Sequence, residues 1–535
     1  MILNKFLRFA FILATFSTLT LNLFSQDKPD WVAGVPEGCT TITVGKLASS
    51  DGSVMTSHTD DSHRTRSWLD IMPAKDYPNN ARMKMYKRVP YDSLAMPTYT
   101  HDSVGVIPQV SHTYQFINTA YPSMNEHQLA IGETTFGGRE SLHSEKALID
   151  CQLLCRLMLE RTSTARDAIK LAGELTKKYG WNDEGEMLTI ADTKEVWHFE
   201  IIGPGKGNLG SIWVAQRVPD DHISVGANGA RIREIDLDNP DYFMASENVY
   251  QVAKDSGWWN PSESNFEFVY AYAPGSRKSM ATRRREWRVL SLAAPSLKLD
   301  PNAENYPFSV KPDEPISKEK MVEMFQDYYE GTPFNFVKDI TVTDDSGKTI
   351  ISPLANPFMP YDMNKVFKIN GGWGWLGERT IARWYTMYAT ITQSRDWLPD
   401  EVGGVVWLAW DNVATSVYTP IYSNITEVNK YFKTPGRVNG YTHDSAWWAF
   451  NRLGTLAAQR WGDMRYDVRA VWDPIQKELF TNQKQFEDKV LELLKTDKNA
   501  AIKMMTEYTN DWGIKASERA WKLGDELWTK YDEKF

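Results

Sequence analysis

Apolar and polar positions alternate with a period of two through CTTITVG, from Cys39, which predicts a strand. KLASSDG supplies turn chemistry and SVMTSH reads as a second strand. Antiparallel pairing of the two, across a separation of roughly twenty residues, would return His58, Asp60 and Asp61 to Cys39. EKALIDCQLLCRLMLERTS then carries a helical spacing of apolar residues. TARDAIKLAGELTKKYG predicts another helix, with a capping box from Thr164 to Asp167 and a C-terminal Gly180. Four strand-like segments follow, MLTIAD, EVWHFEII, SIWVAQRV and HISVGAN, and their short connections predict an antiparallel meander with Asn228 at its end. GGVVWLAW and SVYTPIY predict further strands, and from about Ala446 the pattern is helical to the end. Strands and helices in separate runs imply α+β layers rather than a parallel α/β sheet. No internal repeat or interdomain linker interrupts the chain.

The first residues carry a different pattern. Lys5 and Arg8 form a basic start, Phe9 to Phe24 a short apolar run, and Ser25 a small residue before Gln26. This predicts a secretory signal over residues 1–25 and export to the periplasm or exterior, rather than a membrane span. The 535 residues are 42% hydrophobic and 24% charged, enough for a sizeable core. The net charge of −9 is spread without basic blocks, which argues against nucleic acid and anionic membrane surfaces as partners. The 21 tryptophans imply aromatic-lined clefts as well as core. A homo-oligomer is admitted but not required.

Three cysteines in an exported chain leave one over. Cys151 and Cys155, four apart on a predicted helix, read as small core residues. Cys39 is the remaining thiol. GxSxG, HExxH, Walker and CxxC signatures are absent from the sequence. GPGKGNLG, from Gly203, matches no phosphate-loop template and reads as a loop. HTDDSH, from His58 to His63, gathers metal-ligating types but shows no complete ligand set, so no metal is assigned. A thiol needs a base or a lowered pKa to act as nucleophile. Cutting the chain before Cys39 would place an α-amine, which titrates near neutrality, on the nucleophile's own residue. Gly38 tolerates the unusual backbone such a cut requires. The competing reading of the residues alone is a buried strand cysteine.

CTTITVGKLASSDGSVMTSHTDD resembles the opening of the cysteine dipeptidases of the dipeptidase A and secernin type, which are N-terminal-nucleophile hydrolases. The resemblance continues through MNEHQLAIGETTFGGRE, EGTPFN, ITQSRDWLPDEVGGVVWLAWDN and ATSVYTPIYS to WKLGDELWTKY. It implies a four-layer αββα sandwich with a helical C-terminal region, a propeptide over residues 26–38, and a hydrolase domain over 39–535. It also implies autocatalytic release of Cys39 and hydrolysis of dipeptide amide bonds without a cofactor. A more distant likeness to bile-salt and penicillin V acylases implies that Asp61 holds the α-amine and that Asn228 serves the oxyanion hole. SMATRRR resembles the acylase loop with a catalytic arginine, which would be Arg283, with Arg284 the alternative. His58 stands where that pattern has an arginine, and Glu133 or Thr134 where it has a second oxyanion asparagine; all three are expected beside the substrate. The rival readings are a bile-salt or N-acyl amide hydrolase with the same site, and an aromatic-rich, non-catalytic cell-surface binding protein.

Overall fold

Cys39 opens the central hairpin of a seven-stranded antiparallel sheet. The structure is a computed structural model and describes residues 38–62, 66–88, 99–144, 146–358, 379–436 and 440–534. The predicted secretory signal, Pro36, Glu37 and His63 lie outside the described residues.

The strands of the two large sheets, in chain order, are β1 (Gly38–Val44), β2 (Ser57–Asp61), β3 (Asp70–Met72), β4 (Phe116–Asn118), β5 (Met124–Asn125), β6 (Ala130–Phe136), β7 (Gly185–Ala191), β8 (Val196–Ile202), β9 (Ile212–Val218), β10 (Ile223–Gly226), β11 (Phe243–Ala245), β12 (Ser309–Val310), β13 (Thr386–Gln393), β14 (Val405–Trp410) and β15 (Thr419–Tyr422). One sheet has the order β12-β10-β1-β2-β13-β14-β15 and the other β11-β9-β8-β7-β6-β5-β4-β3. All neighbours are antiparallel.

The expected hairpin forms, with Gly38 opposite Asp61, Cys39 opposite Asp60 and Thr40 opposite Thr59. The expected four-strand meander does not. β7, β8 and β9 pair in order, but β10 crosses to the other sheet and pairs with β1, placing Gly226 opposite Thr41. The place beside β9 goes to β11. Pairing of β10 with β1 buries Ile223 and Val225 fully and puts Asn228, two residues past the strand, beside Cys39.

The sheets meet face to face through close contacts. The Thr43 hydroxyl lies 3.1 Å from His198 Nε2, and the Thr56 and Thr189 hydroxyls lie 2.6 Å apart. Gly132 on β6 allows this approach: a Cβ there would come within 2.2 Å of the Ser57 carbonyl oxygen on β2. Such proximity forbids any side chain at 132.

The helices used below are α1 (Cys151–Arg161), α2 (Ala165–Tyr179), α3 (Met280–Ala293), α4 (Ala446–Gln459), α5 (Trp461–Leu494) and α6 (Lys498–Lys530). α2 starts where its capping box predicts, the Thr164 hydroxyl accepting from the Asp167 amide, and ends at Gly180 with φ of 77°. α2 lies on β7 and β8, while α4 and α6 pack on β14 and β15 and on each other. The helical run begins at Ala446, as its sequence pattern indicates. Cys151 and Cys155 are buried on α1 as free thiols. Among the described residues, no helix is long and apolar enough to cross a membrane.

Candidate active site

Four segments converge on Cys39: the start of β1, the end of β2, the middle of β6 and the turn after β10. The sulfur is buried, and its thiol donates to Glu133 Oε2 at 3.2 Å. The Cys39 amide nitrogen, still joined to Gly38, donates to Asn228 Oδ1 at 3.0 Å. The Cys39 carbonyl oxygen accepts from Arg285 at 2.7 Å and from the Thr134 hydroxyl at 3.2 Å. Burial pushes the thiol up, and the charges of Glu133, Asp60 and Asp61 push it further. In this state the thiol keeps its proton and needs an acceptor in contact.

Asn228 sits at φ of 55°, a left-handed conformation that asparagine adopts more readily than bulkier residues. Its Oδ1 accepts from both Cys39 and Arg285, and its Nδ2 donates to the Thr135 carbonyl at 2.7 Å. Those partners fix which end of the amide faces Cys39. The Asn228 amide also donates to the Thr134 hydroxyl at 2.9 Å, so Thr134 ties the turn to Cys39.

Asp61 is fully buried and accepts from the Thr386 hydroxyl at 2.6 Å. Its other oxygen pairs with Arg379. The register of β13 shifts between Thr386 and Tyr388, and this bulge lies where Thr386 meets Asp61.

His58 lies on β2 with Nδ1 at 2.8 Å from the Glu133 carbonyl oxygen and 3.8 Å from Glu133 Oε2. Tyr121 and Tyr388 flank its ring. Burial pushes its pKa down, against the opposing charges of Glu133 and Asp61, so the imidazole is neutral. It braces β6 rather than supplying the positive charge that an arginine would have given. That charge comes instead from Arg285 and Arg379. Arg285 is pushed down to about 9, first by burial and then by Arg379.

The structure therefore brings Cys39, His58, Asp61, Glu133, Thr134 and Asn228 together, and leaves Arg283 outside. Arg283 reaches the Asn302 and Ala303 carbonyl oxygens on the far side of α3, at 3.1 Å and 2.7 Å. Arg284 donates to Pro301 and stacks over Phe334. Arg285 takes the place expected for Arg283. A helical reading of TRRREWRVLSLA contains the signal: Thr282, Arg285, Glu286 and Val289 share the buried face at spacings of three and four. Arg379 has no such local signal, since it comes to Asp61 from 318 positions away.

The profile of peptidase family C69 matches residues 38–474. The chain belongs to that family. Similar sequences include a probable dipeptidase B of Lactococcus lactis subsp. lactis, 26% identical over 88% of this chain and 94% of that one. A probable dipeptidase of Latilactobacillus sakei is 25% identical, covering 79% and 82% of the two chains. Dipeptidase A of Lactobacillus helveticus is 24% identical, covering 80% and 83%. Family membership displaces the non-catalytic reading: the chain is a cysteine-type peptide hydrolase.

Proposed function

We propose that the protein is an exported dipeptidase whose nucleophile, Cys39, becomes the N-terminal residue by self-cleavage after Gly38. The observation that carries this reading is the contact set of Cys39 itself: thiol on a carboxylate, backbone nitrogen on Asn228 and carbonyl on a buried guanidinium. The family match supports it by beginning at Gly38, directly before the nucleophile. The two face-to-face sheets with helices on them fit the four-layer αββα sandwich of N-terminal-nucleophile hydrolases.

After release, the Cys39 α-amine remains in hydrogen-bond reach of Asn228 and is the base for its own thiol. The thiolate attacks the scissile carbonyl, and the proton passes through the amine to the leaving nitrogen. Asn228 lies against the peptide joining Gly38 to Cys39, since a Cβ on Gly38 would come within 2.3 Å of its Oδ1. To serve the oxyanion hole, as the acylase likeness implies, the side-chain amide has to turn Nδ2 from the Thr135 carbonyl to the developing oxyanion, a contribution of roughly 3 kcal/mol for one donor. Asp61, neutralised by Arg379, orients the amine end of the site. Arg285 holds the Cys39 carbonyl and keeps the site electropositive. Water then hydrolyses the thioester, and no cofactor enters the sequence.

Hydrolysis of a dipeptide panel, set beside N-acyl amides and bile-salt conjugates, tests the substrate class. Release of amino acids from dipeptides, lost in Cys39→Ala, is expected. Preferential cleavage of the conjugated amides would overturn the dipeptidase assignment.

A further inference from the structure

The α-amine that serves as base in the released enzyme does not exist while Gly38 is bonded to Cys39. At that stage the Cys39 nitrogen is an amide that donates to Asn228, and it takes no proton. A different acceptor must serve the first cut, and the structure holds one in contact with the sulfur, Glu133.

Behind Glu133 lies a second buried carboxyl group, Glu186 on β7. The Thr135 hydroxyl sits between them, 3.0 Å from Glu133 Oε1 and 2.9 Å from Glu186 Oε1. A hydroxyl has one proton to donate, so it serves one carboxylate only, and a carboxylic acid must donate the other contact. The remaining partners decide which. Glu133 receives the Cys39 thiol on its second oxygen. Glu186 leaves Oε2 buried with no hydrogen-bond partner among the described residues, which suits a neutral acid and not a carboxylate. Burial, then the charge of Glu133 and a direct side-chain contact with it, push Glu186 well up, in agreement. Protons are thus ordered from Glu186 to Thr135, from Thr135 to Glu133, and from Cys39 to Glu133.

We propose that ionised Glu133 is the catalytic base of self-cleavage, and that neutral Glu186, acting through Thr135, keeps it ionised. The inference rests on the processing reading given above. In the step, the Cys39 sulfur bonds to the Gly38 carbonyl carbon as the thiol proton moves to Glu133. The bond from that carbon to the Cys39 nitrogen breaks, and Glu133 returns the proton to the departing nitrogen. Water then cleaves the thioester, giving the Gly38 carboxylate, the free thiol and the α-amine. The titratable groups that act electrostatically with Glu133 are Cys39 on β1, His58 on β2, Cys151 on α1 and Glu186 on β7.

Glutamine copies a protonated glutamate, so the same replacement has unequal consequences at the two positions. The N-terminus of pulse-labelled full-length chain, followed by intact mass over time, reads the processing rate directly. Glu133→Gln should slow it about a hundredfold or more, the scale of a lost general base. Glu186→Gln, which keeps a neutral donor, should slow it by less than about tenfold. Equal rates for Glu133→Gln and the parent, or the reverse order of the two variants, would overturn the assignment. Thr135→Val supplies a readout independent of how well Glu133→Gln folds. Loss of a donor to ionised Glu133 should shift the acid limb of the processing profile to higher pH, and an unmoved limb would contradict the relay. Cleavage in Cys39→Ala would instead sink self-processing as a whole, an outcome distinct from failure at Glu133.

Discussion

Arg379 closes on Asp61 in a fully buried ion pair that joins the end of β2 to a segment 318 positions away in the chain. Both side chains are almost inaccessible, at 4% and 0% exposure, so neither charge is hydrated. Removing one partner leaves the other stranded, which costs about 3–5 kcal/mol. Arg379→Ala should therefore lower stability by that amount in urea unfolding. Replacing the pair together, Arg379→Met with Asp61→Leu, should restore most of the stability. Activity should stay lost in the double variant if Asp61 orients the amine as proposed.

Gly38 is held by the space around it. A Cβ there would meet Asn228 Oδ1 at 2.3 Å and Arg379 at 2.7 Å, both beside the bond that the proposed processing cuts. Gly38→Ala should slow release of Cys39 at least about tenfold, through displacement of the Asn228 contact. Unaltered release, timed by N-terminal sequencing, would mean that the Asn228 contact does not govern the cut.

The three consecutive arginines of α3 separate by face. Arg285→Ala removes donors to the Cys39 carbonyl and to Asn228 and should cost about a hundredfold in kcat/KM, the scale of one lost electrostatic contact to the reacting region. Arg283→Ala should stay within about threefold, since its partners are carbonyl oxygens of the 302–303 loop. Steady-state assays of both on one dipeptide distinguish the faces. A larger loss at Arg283 would reverse the assignment.

His198 ties the sheets together through Thr43, and burial, with Arg231 nearby, pushes its pKa down to about 3. The unfolded chain binds a proton at this residue below about pH 6.5 while the folded chain does not, so stability from His198 is present above that value and lost on acidification. The stability advantage of the parent over His198→Gln should shrink by up to about 1.4 kcal/mol per pH unit between about pH 6.5 and 3. Chemical unfolding of both chains along a pH series measures it. A constant difference would show that His198 titrates as it does in water.

Much of the fold is local in origin and legible for that reason. The strand alternation around Cys39, the Thr164 cap, the glycine stop at Gly180 and the helical onset at Ala446 each depend on a few neighbouring residues. The crossing of β10 to the first sheet is a choice between two neighbours, β9 and β1, which local pattern does not decide. The hairpin spacing placed Asp61 and His58 near Cys39, but not their partners. His58 does not bear the charge expected at its position, because burial between Tyr121 and Tyr388 favours the neutral ring. Arg379, Thr386 and Glu186 come from strands or loops remote in sequence, and only the folded sheets bring them to Cys39.

The central claim is that Cys39 is both the nucleophile and the residue at which the chain opens. Intact mass of the purified full-length product, measured beside dipeptidase activity for the parent and Cys39→Ala, tests it most directly. The parent should begin at Cys39 and be active, while Cys39→Ala should retain Gly38 and the residues before it and be inactive. An active parent that still carries Gly38, or an active Cys39→Ala chain, would contradict the account.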